Sequence, residues 1–122
     1  MDLRDFIAQC EKQGDLKRVR AEVDWNLEMS HIAKLVEEKD GPALLFENVK
    51  GHDSSVLFGA YSNTKRLALV LGKPADLTMC ELSYEWMKLS VGEVIRAKEV
   101  ATGPIFENII DGDDVDVMKI PA

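Results

Sequence analysis

Two Phe-Glu-Asn triplets contain the residues of this sequence that could do chemistry together. They are Phe46-Glu47-Asn48 and Phe106-Glu107-Asn108. Two carboxylates with orienting amides could act as a general acid and a general base, if their pKa values were pushed apart. The alternative is an apolar strand that ends in a polar turn, where the Phe faces the core, the Glu faces solvent and the Asn bonds to the backbone. We favour this structural interpretation of both triplets.

The other polar groups fit known site patterns poorly. His31 and His52 are the only histidines, and neither lies in a nucleophile or triad pattern, so we expect both on the surface or at the edge of the core. The acidic run at 111–116 fails as an EF-hand loop, because the twelfth position from Asp111 is Ala122 and not a glutamate. A tight Asp-Gly turn between strands explains the run. The sequence also lacks both glycine-rich phosphate-binding patterns.

The charge balance of the chain argues against one class of partner. The 22 acidic and 15 basic residues give a formal charge of -7. An acidic chain repels phosphate backbones, so we expect no nucleic-acid partner. The basic residues cluster at Lys17-Arg18 with Arg20 and at Lys65-Arg66, and we expect both groups on solvated faces or strand edges. With 46% hydrophobic residues, the composition predicts a globular domain.

The two cysteines, Cys10 and Cys80, lie far apart in the sequence, each on an apolar helical stripe. This pattern predicts two buried free thiols in a reducing compartment rather than a disulfide. There is no Cys/His cluster suited to zinc, and no apolar run approaches the roughly 20 residues that span a bilayer. The charged amino terminus lacks the core of a signal peptide. We therefore expect a cytoplasmic protein without a membrane span.

Hydrophobic spacing predicts the elements that position these residues. In chain order they are a helix capped by Asp2 and ended by Gly14, a strand at 16–23, a helix through Met29 and Val36, strands at 43–49 and 55–61, a short helix capped by Thr64, a longer helix from Asp76, and two short strands within 105–120. The longer helix carries Leu77, Cys80, Tyr84 and Met87 along one stripe, with Trp86 on its flank. We expect the stripe to pack and Trp86 to mark an interface.

The alternation of helices and strands favours an α/β (α+β) fold, with a small mixed sheet and helices packed on one face. Residues 1–102 form the predicted amino-terminal domain. A composition shift and the Gly103-Pro104 pair separate them from residues 103–122. The last predicted strand runs to Pro121-Ala122 without a stop signal, so we expect a truncated or split protein.

Several segments resemble, in order and register, the amino-terminal region of the UbiD family of decarboxylases. They are Asp2-Leu3-Arg4-Asp5-Phe6-Ile7, Gly14-Asp15-Leu16, Glu22-Val23-Asp24, Leu27-Glu28-Met29 with Ile32-Ala33, Gly103-Pro104 to Asn108, Asp113-Asp114-Val115-Asp116 and Lys119-Ile120-Pro121. The strongest is Gly41-Pro42-Ala43-Leu44-Leu45-Phe46-Glu47-Asn48-Val49. Together they cover nearly all of this chain but only the first part of a usual family member.

The resemblance implies that residues 103–122 are the first strands of a split-barrel, cofactor-binding central domain. It implies a full-length, homo-oligomeric enzyme that decarboxylates aromatic or unsaturated acids reversibly and without oxidation, using prenylated flavin mononucleotide (prFMN), manganese and potassium. The cofactor acts as an electron sink. No position here matches the family's catalytic, cofactor-binding or metal-binding motifs. The resemblance therefore assigns no catalytic, cofactor or metal residue to this chain, and we expect none of these groups to be bound by this chain alone.

Three hypotheses for the function remain open. In the first, the chain is the scaffold domain of a decarboxylase, inactive alone, and its partner is the remainder of the enzyme, with which it forms one wall of the substrate cleft. In the second, it is a stand-alone small subunit or interaction module that docks on a separate catalytic chain by strand addition to the hairpin at 105–120. In the third, it is an unrelated domain that binds a small molecule.

Overall fold

The computed structural model describes residues 1–92, 94–103 and 106–121. Its elements are α1 (Leu3–Lys12), β1 (Leu16–Val19), α2 (Glu28–Glu37), β2 (Ala43–Phe46), β3 (Val56–Phe58), α3 (Thr64–Val70) and α4 (Met79–Ser90). Their order is the predicted one up to the end of α4. The order of the elements in this part of the chain therefore follows from the hydrophobic spacing of the sequence.

Helix α1 begins and ends at the predicted residues. The Asp2 side chain accepts a hydrogen bond from the Asp5 main-chain nitrogen at 2.8 Å, and the Asp5 side chain accepts one from the Asp2 nitrogen at 3.3 Å. This reciprocal capping box satisfies two of the backbone donors that a helix leaves free at its start. Gly14 follows the helix with a φ of +72°, a conformation that glycine adopts without steric cost.

β2 is the central strand of a three-stranded mixed sheet. β1 pairs with it in parallel, from Leu16 opposite Ala43 to Val19 opposite Phe46, and β3 pairs with it in antiparallel orientation. Helix α2 makes the crossover that a parallel pair requires. The Phe46 and Phe58 rings meet edge to face, with 5.8 Å between their centroids.

Both faces of β2 are covered, and all four of its residues are buried. Phe46 packs with Met29 of α2 on one face. Leu45 points to the other face, where Arg18, its neighbour on β1, bonds to Glu11 of α1. The expected α/β class with a mixed sheet is confirmed. The prediction of helices on a single face is wrong, because a strand that is apolar at every position needs cover on both sides.

The observed strands are shorter than the predicted ones. β1, β2 and β3 occupy parts of the predicted ranges 16–23, 43–49 and 55–61. Beyond them, Val23 and Val49 form an isolated parallel bridge, and the Val23 nitrogen donates to the Asn48 carbonyl at 3.1 Å. A bend at Ala21 interrupts the ladder between β1 and this bridge. Both valines nevertheless reach the core.

Helices α3 and α4 begin at caps that differ from the predicted ones. α3 is capped by Asn63, whose side chain accepts from the third helical nitrogen, while the predicted cap Thr64 is already helical. α4 begins with a capping box between Thr78 and Glu81, two residues after the predicted start at Asp76. Asn and Thr are both strong caps, so spacing alone does not choose between neighbouring candidates.

Helix α4 turns a different face to the domain from the one predicted. Leu82 is its buried residue, at 1% exposure. In the predicted stripe, Tyr84 and Met87 are each 61% exposed and Cys80 is exposed as well. Leu82 lies two positions after Cys80, about 200° around the helix. The expectation that this stripe packs in the core is therefore wrong, because α4 meets α3 along the Leu82 side.

The two cysteines differ in their surroundings. Both are free thiols, as predicted, but Cys10 is buried and Cys80 is exposed. The predicted burial of Cys80 is wrong because it rested on the α4 stripe. Burial, and then the nearby negative charge of Asp15, raise the pKa of the Cys10 thiol.

The segment after α4 does not form the predicted strands in the part that the structure describes. Residues 94–103 have no regular element, and residues 106–121 contain two short 3-10 turns, Gly112–Asp114 and Val117–Lys119. The hairpin predicted over 105–120 is wrong there, since two strands alone, with no third strand to pair with, are marginal in water. Pro104 and Ile105 lie outside the described residues. The boundary at residues 102 and 103 stays a prediction.

Candidate functional site

Glu47, just after β2, faces two arginines. Arg18 Nη1 donates to Glu47 Oε1 at 2.5 Å, and Arg20 Nε donates to Oε2 at 3.3 Å. The hydrogen bond from Arg18 is the main reason that the pKa of the Glu47 carboxyl lies below its usual range. A carboxylate held ionised in this way carries no proton to give as a general acid. Its contacts instead tie the end of β2 to β1.

The second triplet does not join the first. Phe46 is fully buried, whereas Phe106 is 57% exposed. The hydrogen bonds and ion pairs of the described residues do not link Glu47 with Glu107. The hypothesis of a paired acid and base therefore lacks its geometry. For the first triplet, the structural interpretation is confirmed for Phe46, which lies in the core. Glu47 is partly buried against the two arginines rather than facing open solvent, and the side-chain hydrogen bonds of the described residues include none from Asn48, which is exposed just after the strand.

Both histidines lie where the sequence placed them. His31 is exposed on α2, and His52 is partly buried at the edge of the core. The His52 ring meets the Trp25 ring edge-on, with 6.0 Å between centroids, and His52 Nδ1 lies 2.9 Å from the Lys119 carbonyl oxygen. This contact joins parts of the chain 67 residues apart, and no sequence pattern pointed to it.

The described residues do not form a metal site. They contain no group of three His, Cys, Asp or Glu side chains that could hold a metal ion. In the acidic run, the Asp116 side chain accepts from the Met118 nitrogen at 3.0 Å and so caps a 3-10 turn. A flavin phosphate bound with a divalent metal would need oxygen ligands or converging backbone donors. We derive no chemistry through such a group from these residues.

None of the helices in the described ranges has the length and apolar character needed to cross a bilayer.

Arg66 lies at the centre of a buried polar cluster that the sequence did not reveal. It is 2% exposed. Its Nη1 donates to Asp15 Oδ1 at 2.7 Å, and its Nη2 donates to Ser62 Oγ at 2.6 Å and to the Gly41 carbonyl at 3.3 Å. The prediction that Lys65-Arg66 forms a solvated face is wrong for Arg66, although Lys65 is exposed. The cluster ties α3 to the α1–β1 turn around a buried guanidinium, so we assign it a structural role.

An apolar groove of about 220 Å³ runs between α3 and α4. It is lined by Leu67 of α3, by Leu71 just after that helix, and by Met79, Leu82, Trp86 and Met87 of α4. Trp86 and Met87 are 58% and 61% exposed. We call this set the α4 face. Large amphipathic and flexible apolar side chains of this kind are enriched where proteins bind one another.

A second groove, of about 580 Å³, lies on the other side of α4. Glu85 is its charged centre and bonds to Lys73 Nζ at 2.6 Å and to Lys88 Nζ at 2.7 Å. The bond from Lys73, and then that from Lys88, lower the pKa of Glu85 to about 2. A carboxylate paired with two ammonium groups holds the α3–α4 turn against α4 and is a weak candidate for proton transfer.

Exposed apolar surface is concentrated at α4 and after it. Of the 23 large hydrophobic side chains that are exposed in the described residues, 16 lie at or after Met79. Val94 and Ile95 are 91% and 95% exposed. Exposed apolar side chains in such number, where they are contiguous, are typical of surfaces that bind other polypeptide.

The sequence matches a known family over most of its length. The model of the 3-octaprenyl-4-hydroxybenzoate carboxy-lyase amino-terminal domain (UbiD_N) matches residues 7–86. This range contains β1 to β3, α2, α3 and most of α1 and α4. The match therefore covers the whole sheet and the buried Arg66 cluster.

Solved structures of UbiD-class enzymes share the fold. Vanillic acid decarboxylase (ShVdcCD) of Sedimentibacter hydroxybenzoicus, in its open form with truncated ShVdcD, matches with a TM-score of 0.82 and 28% identity, over 92% of this chain and 25% of that chain. An evolved dimeric form of HmfF from Pelotomaculum thermopropionicum, in complex with prFMN, matches with a TM-score of 0.81 and 30% identity, over 98% of this chain and 27% of that chain. HmfF from the same organism in complex with FMN matches with a TM-score of 0.78 and 29% identity, over 98% of this chain and 26% of that chain. The chain spans about a quarter of the length of these enzymes. On this evidence the chain belongs to the UbiD family of decarboxylases and carries the amino-terminal domain of that family.

Proposed function

We propose that this chain is the scaffold domain of a prFMN-dependent decarboxylase and is inactive without the catalytic part of that enzyme. The observation that carries the proposal is the concentration of exposed apolar side chains at and after α4 in a chain about a quarter as long as its relatives. The described residues offer no ligand set for a metal. We place the bond-breaking chemistry in polypeptide outside this chain.

The α4 face is the surface on which the catalytic part docks. Leu82 anchors α4 to α3, while Trp86 and Met87, which line the same groove, remain more than half exposed. Burial of these two side chains against a partner would remove a large apolar area from water. Each Å² of apolar area buried would stabilise the complex by roughly 25 cal/mol. Catalytic polypeptide is the occupant that we favour, because the solved relatives carry about three quarters of their length beyond the matched region.

The reaction that follows from this assignment is non-oxidative decarboxylation of an aromatic or unsaturated acid. One relative is a vanillic acid decarboxylase and another was solved with prFMN. When bound, prFMN supplies an electron sink for the charge left as the carboxylate departs. We place prFMN, with manganese and potassium, in the catalytic part, and propose a cytoplasmic homo-oligomer for the complete enzyme. This domain contributes rigidity and one wall of the substrate cleft.

A chimera tests the scaffold role. This chain replaces the segment of the Pelotomaculum thermopropionicum HmfF that it superposes on, and the purified chimera is assayed for bound prFMN by absorbance and for carbon dioxide release from the HmfF substrate. We expect the double substitution Trp86→Ser and Met87→Ser to lower prFMN retention at least about tenfold, since hot-spot losses of a few kcal/mol are typical of buried anchors.

Leu35→Ser is the matched control, since Leu35 is an exposed apolar residue of α2, away from the α4 face. It should leave prFMN retention unchanged. Equal effects of Leu35→Ser and of the α4 substitutions would contradict the docking surface. Decarboxylation by this chain alone, given prFMN and aromatic acids, would contradict the scaffold role.

A separate catalytic chain is the second candidate partner. The vanillic acid decarboxylase structures contain a component called ShVdcD, which favours assembly from more than one polypeptide. Strand addition to a hairpin at 105–120 is no longer the route, since the described residues there form 3-10 turns. The genomic sequence downstream of codon 122 separates the two cases. An in-frame continuation supports one longer enzyme, and a stop codon supports a separate subunit.

A further inference from the structure

The segment after α4 returns to the domain at one place. Residues 106–120 are all exposed, whereas Pro121 is buried. Lys119, two residues earlier, is the point at which this segment bonds to the domain, through His52. We call residues 106–121 the strap, and the contact of Lys119 with His52 its anchor.

The geometry of His52 defines the anchor. Its Nδ1 lies 2.9 Å from the Lys119 carbonyl oxygen. A carbonyl oxygen only accepts hydrogen bonds, so the proton of this bond must sit on Nδ1. The main chain of His52 is itself fixed, because its nitrogen donates to the Val49 carbonyl at 3.0 Å and Val49 is a core residue.

Trp25 fixes the orientation of the imidazole. The two rings meet at 88°, in an edge-to-face arrangement with 6.0 Å between centroids. Such contacts favour one ring orientation over others. Trp25 keeps 37% of its surface exposed, so it lies at the rim of the domain and not within its core. The pair therefore presents a held N–H donor at the surface.

We propose that Trp25 and His52 form a receptor for the Lys119 carbonyl, which fixes the path by which the chain returns to the Val23–Val49 end of the sheet. The inference stands independently of the decarboxylase assignment. The contact gives the strap a defined direction relative to the domain. Polypeptide attached to the strap would therefore be held in a fixed position relative to the domain.

Trypsin gives a direct test, because it attacks the same carbonyl that His52 holds. Cleavage after Lys119 requires this carbonyl to leave His52, whereas Arg96 and Lys98 lie in an exposed segment with no regular element. Initial rates are measured by mass spectrometry on the full chain, as the first appearance of fragments 1–119, 1–96 and 1–98. We expect His52→Phe to raise the rate after Lys119 by about fivefold, the effect of one lost hydrogen bond, and to leave the other two rates unchanged.

His52→Asn is the matched variant, because its amide N–H can occupy the place of Nδ1–H. Its cleavage rate after Lys119 should stay near that of the native chain. An unchanged rate in His52→Phe, or an equal rise in both variants, would overturn the receptor. Nitrogen-15 NMR of the native chain tests the receptor without a variant, because it shows which ring nitrogen of His52 carries the proton. A proton on Nδ1 of the neutral ring supports the receptor, and a proton on Nε2 alone overturns it.

Discussion

Arg66 Nη1 donates a hydrogen bond to Asp15 Oδ1 at 2.7 Å, and this ion pair joins α3 to the turn between α1 and β1. The arginine side chain is 2% exposed and the aspartate side chain 24%. Removal of the carboxylate charge alone leaves a buried cation without its partner, which is costly. We expect Asp15→Asn to lower the free energy of unfolding by about 3 kcal/mol, measured by urea denaturation.

The double-mutant cycle with Arg66→Met is the control. Methionine removes the buried charge, so a second substitution at Asp15 should then cost much less than it does alone. A coupling energy near zero would mean that the two groups do not depend on one another. A cost of Asp15→Asn below about 0.5 kcal/mol would mean that Arg66 is satisfied without it.

The sequence predicts those parts of the fold that depend on local spacing. Asp2 and Gly14 mark the ends of α1 because capping and positive φ are properties of single residues. The apolar run that becomes β2 likewise predicts a strand from neighbouring residues alone. Element order and family resemblance then follow from the succession of such signals.

The sequence does not predict features that depend on contacts between distant elements. Helix α4 has apolar residues on two sides, and only its packing on α3 decides that Leu82 is covered and Tyr84 is not. Arg66 and Lys65 are adjacent basic residues, and Asp15, 51 positions away, distinguishes them. The contact of His52 with Lys119 is likewise invisible to spacing.

The two thiols should react at very different rates. Cys80 is exposed on α4, whereas Cys10 is fully buried and its pKa is raised, first by burial and then by Asp15. Thiol reagents need an accessible thiolate. We expect Ellman's reagent to modify one thiol per chain quickly, and the second at least about a hundredfold more slowly, until the chain is unfolded.

Cys80→Ser supplies the control for this experiment. The variant should show no fast phase and should gain one reactive thiol in urea. A fast phase that survives the substitution would place Cys10 at the surface and contradict the packing of α1.

Glu85 makes the stability of the chain depend on pH in the acid range. Its folded-state pKa is about 2, against an ordinary value of 4.5, so its stabilising effect is present above pH 4.5 and is lost as the pH falls towards 2. We expect Glu85→Gln to reduce the loss of unfolding free energy between pH 4.5 and 2. The measurement is urea denaturation of both proteins at a series of pH values.

The lysine partners of Glu85 provide the internal comparison. Lys73→Met should raise the pKa of Glu85 more than Lys88→Met does, because the bond from Lys73 has the larger effect. Carbon-13 NMR of the Glu85 carboxyl measures this pKa in both variants. If neither substitution moved the titration, the pair of ammonium groups would not be the cause of the low pKa.

Leu82 and Leu89 allow the orientation of α4 to be tested within one helix. Leu82 is 1% exposed against α3, whereas Leu89 is 57% exposed near the end of α4. Leu82→Ala removes buried methyl groups and leaves a cavity, so we expect it to lower the free energy of unfolding by about 3 kcal/mol. Leu89→Ala removes the same atoms from a wet surface, and we expect it to cost less than about 0.5 kcal/mol.

Amide hydrogen exchange separates local from global effects of these substitutions. Because α4 meets the rest of the domain through α3, loss of the Leu82 contact should speed exchange in α4 while the β2 amides change less. Similar costs for the two alanine substitutions would show that α4 lies with another face against the domain. Trp86 and Met87 would then not form an exposed surface, and this result would contradict the proposed docking role of the α4 face.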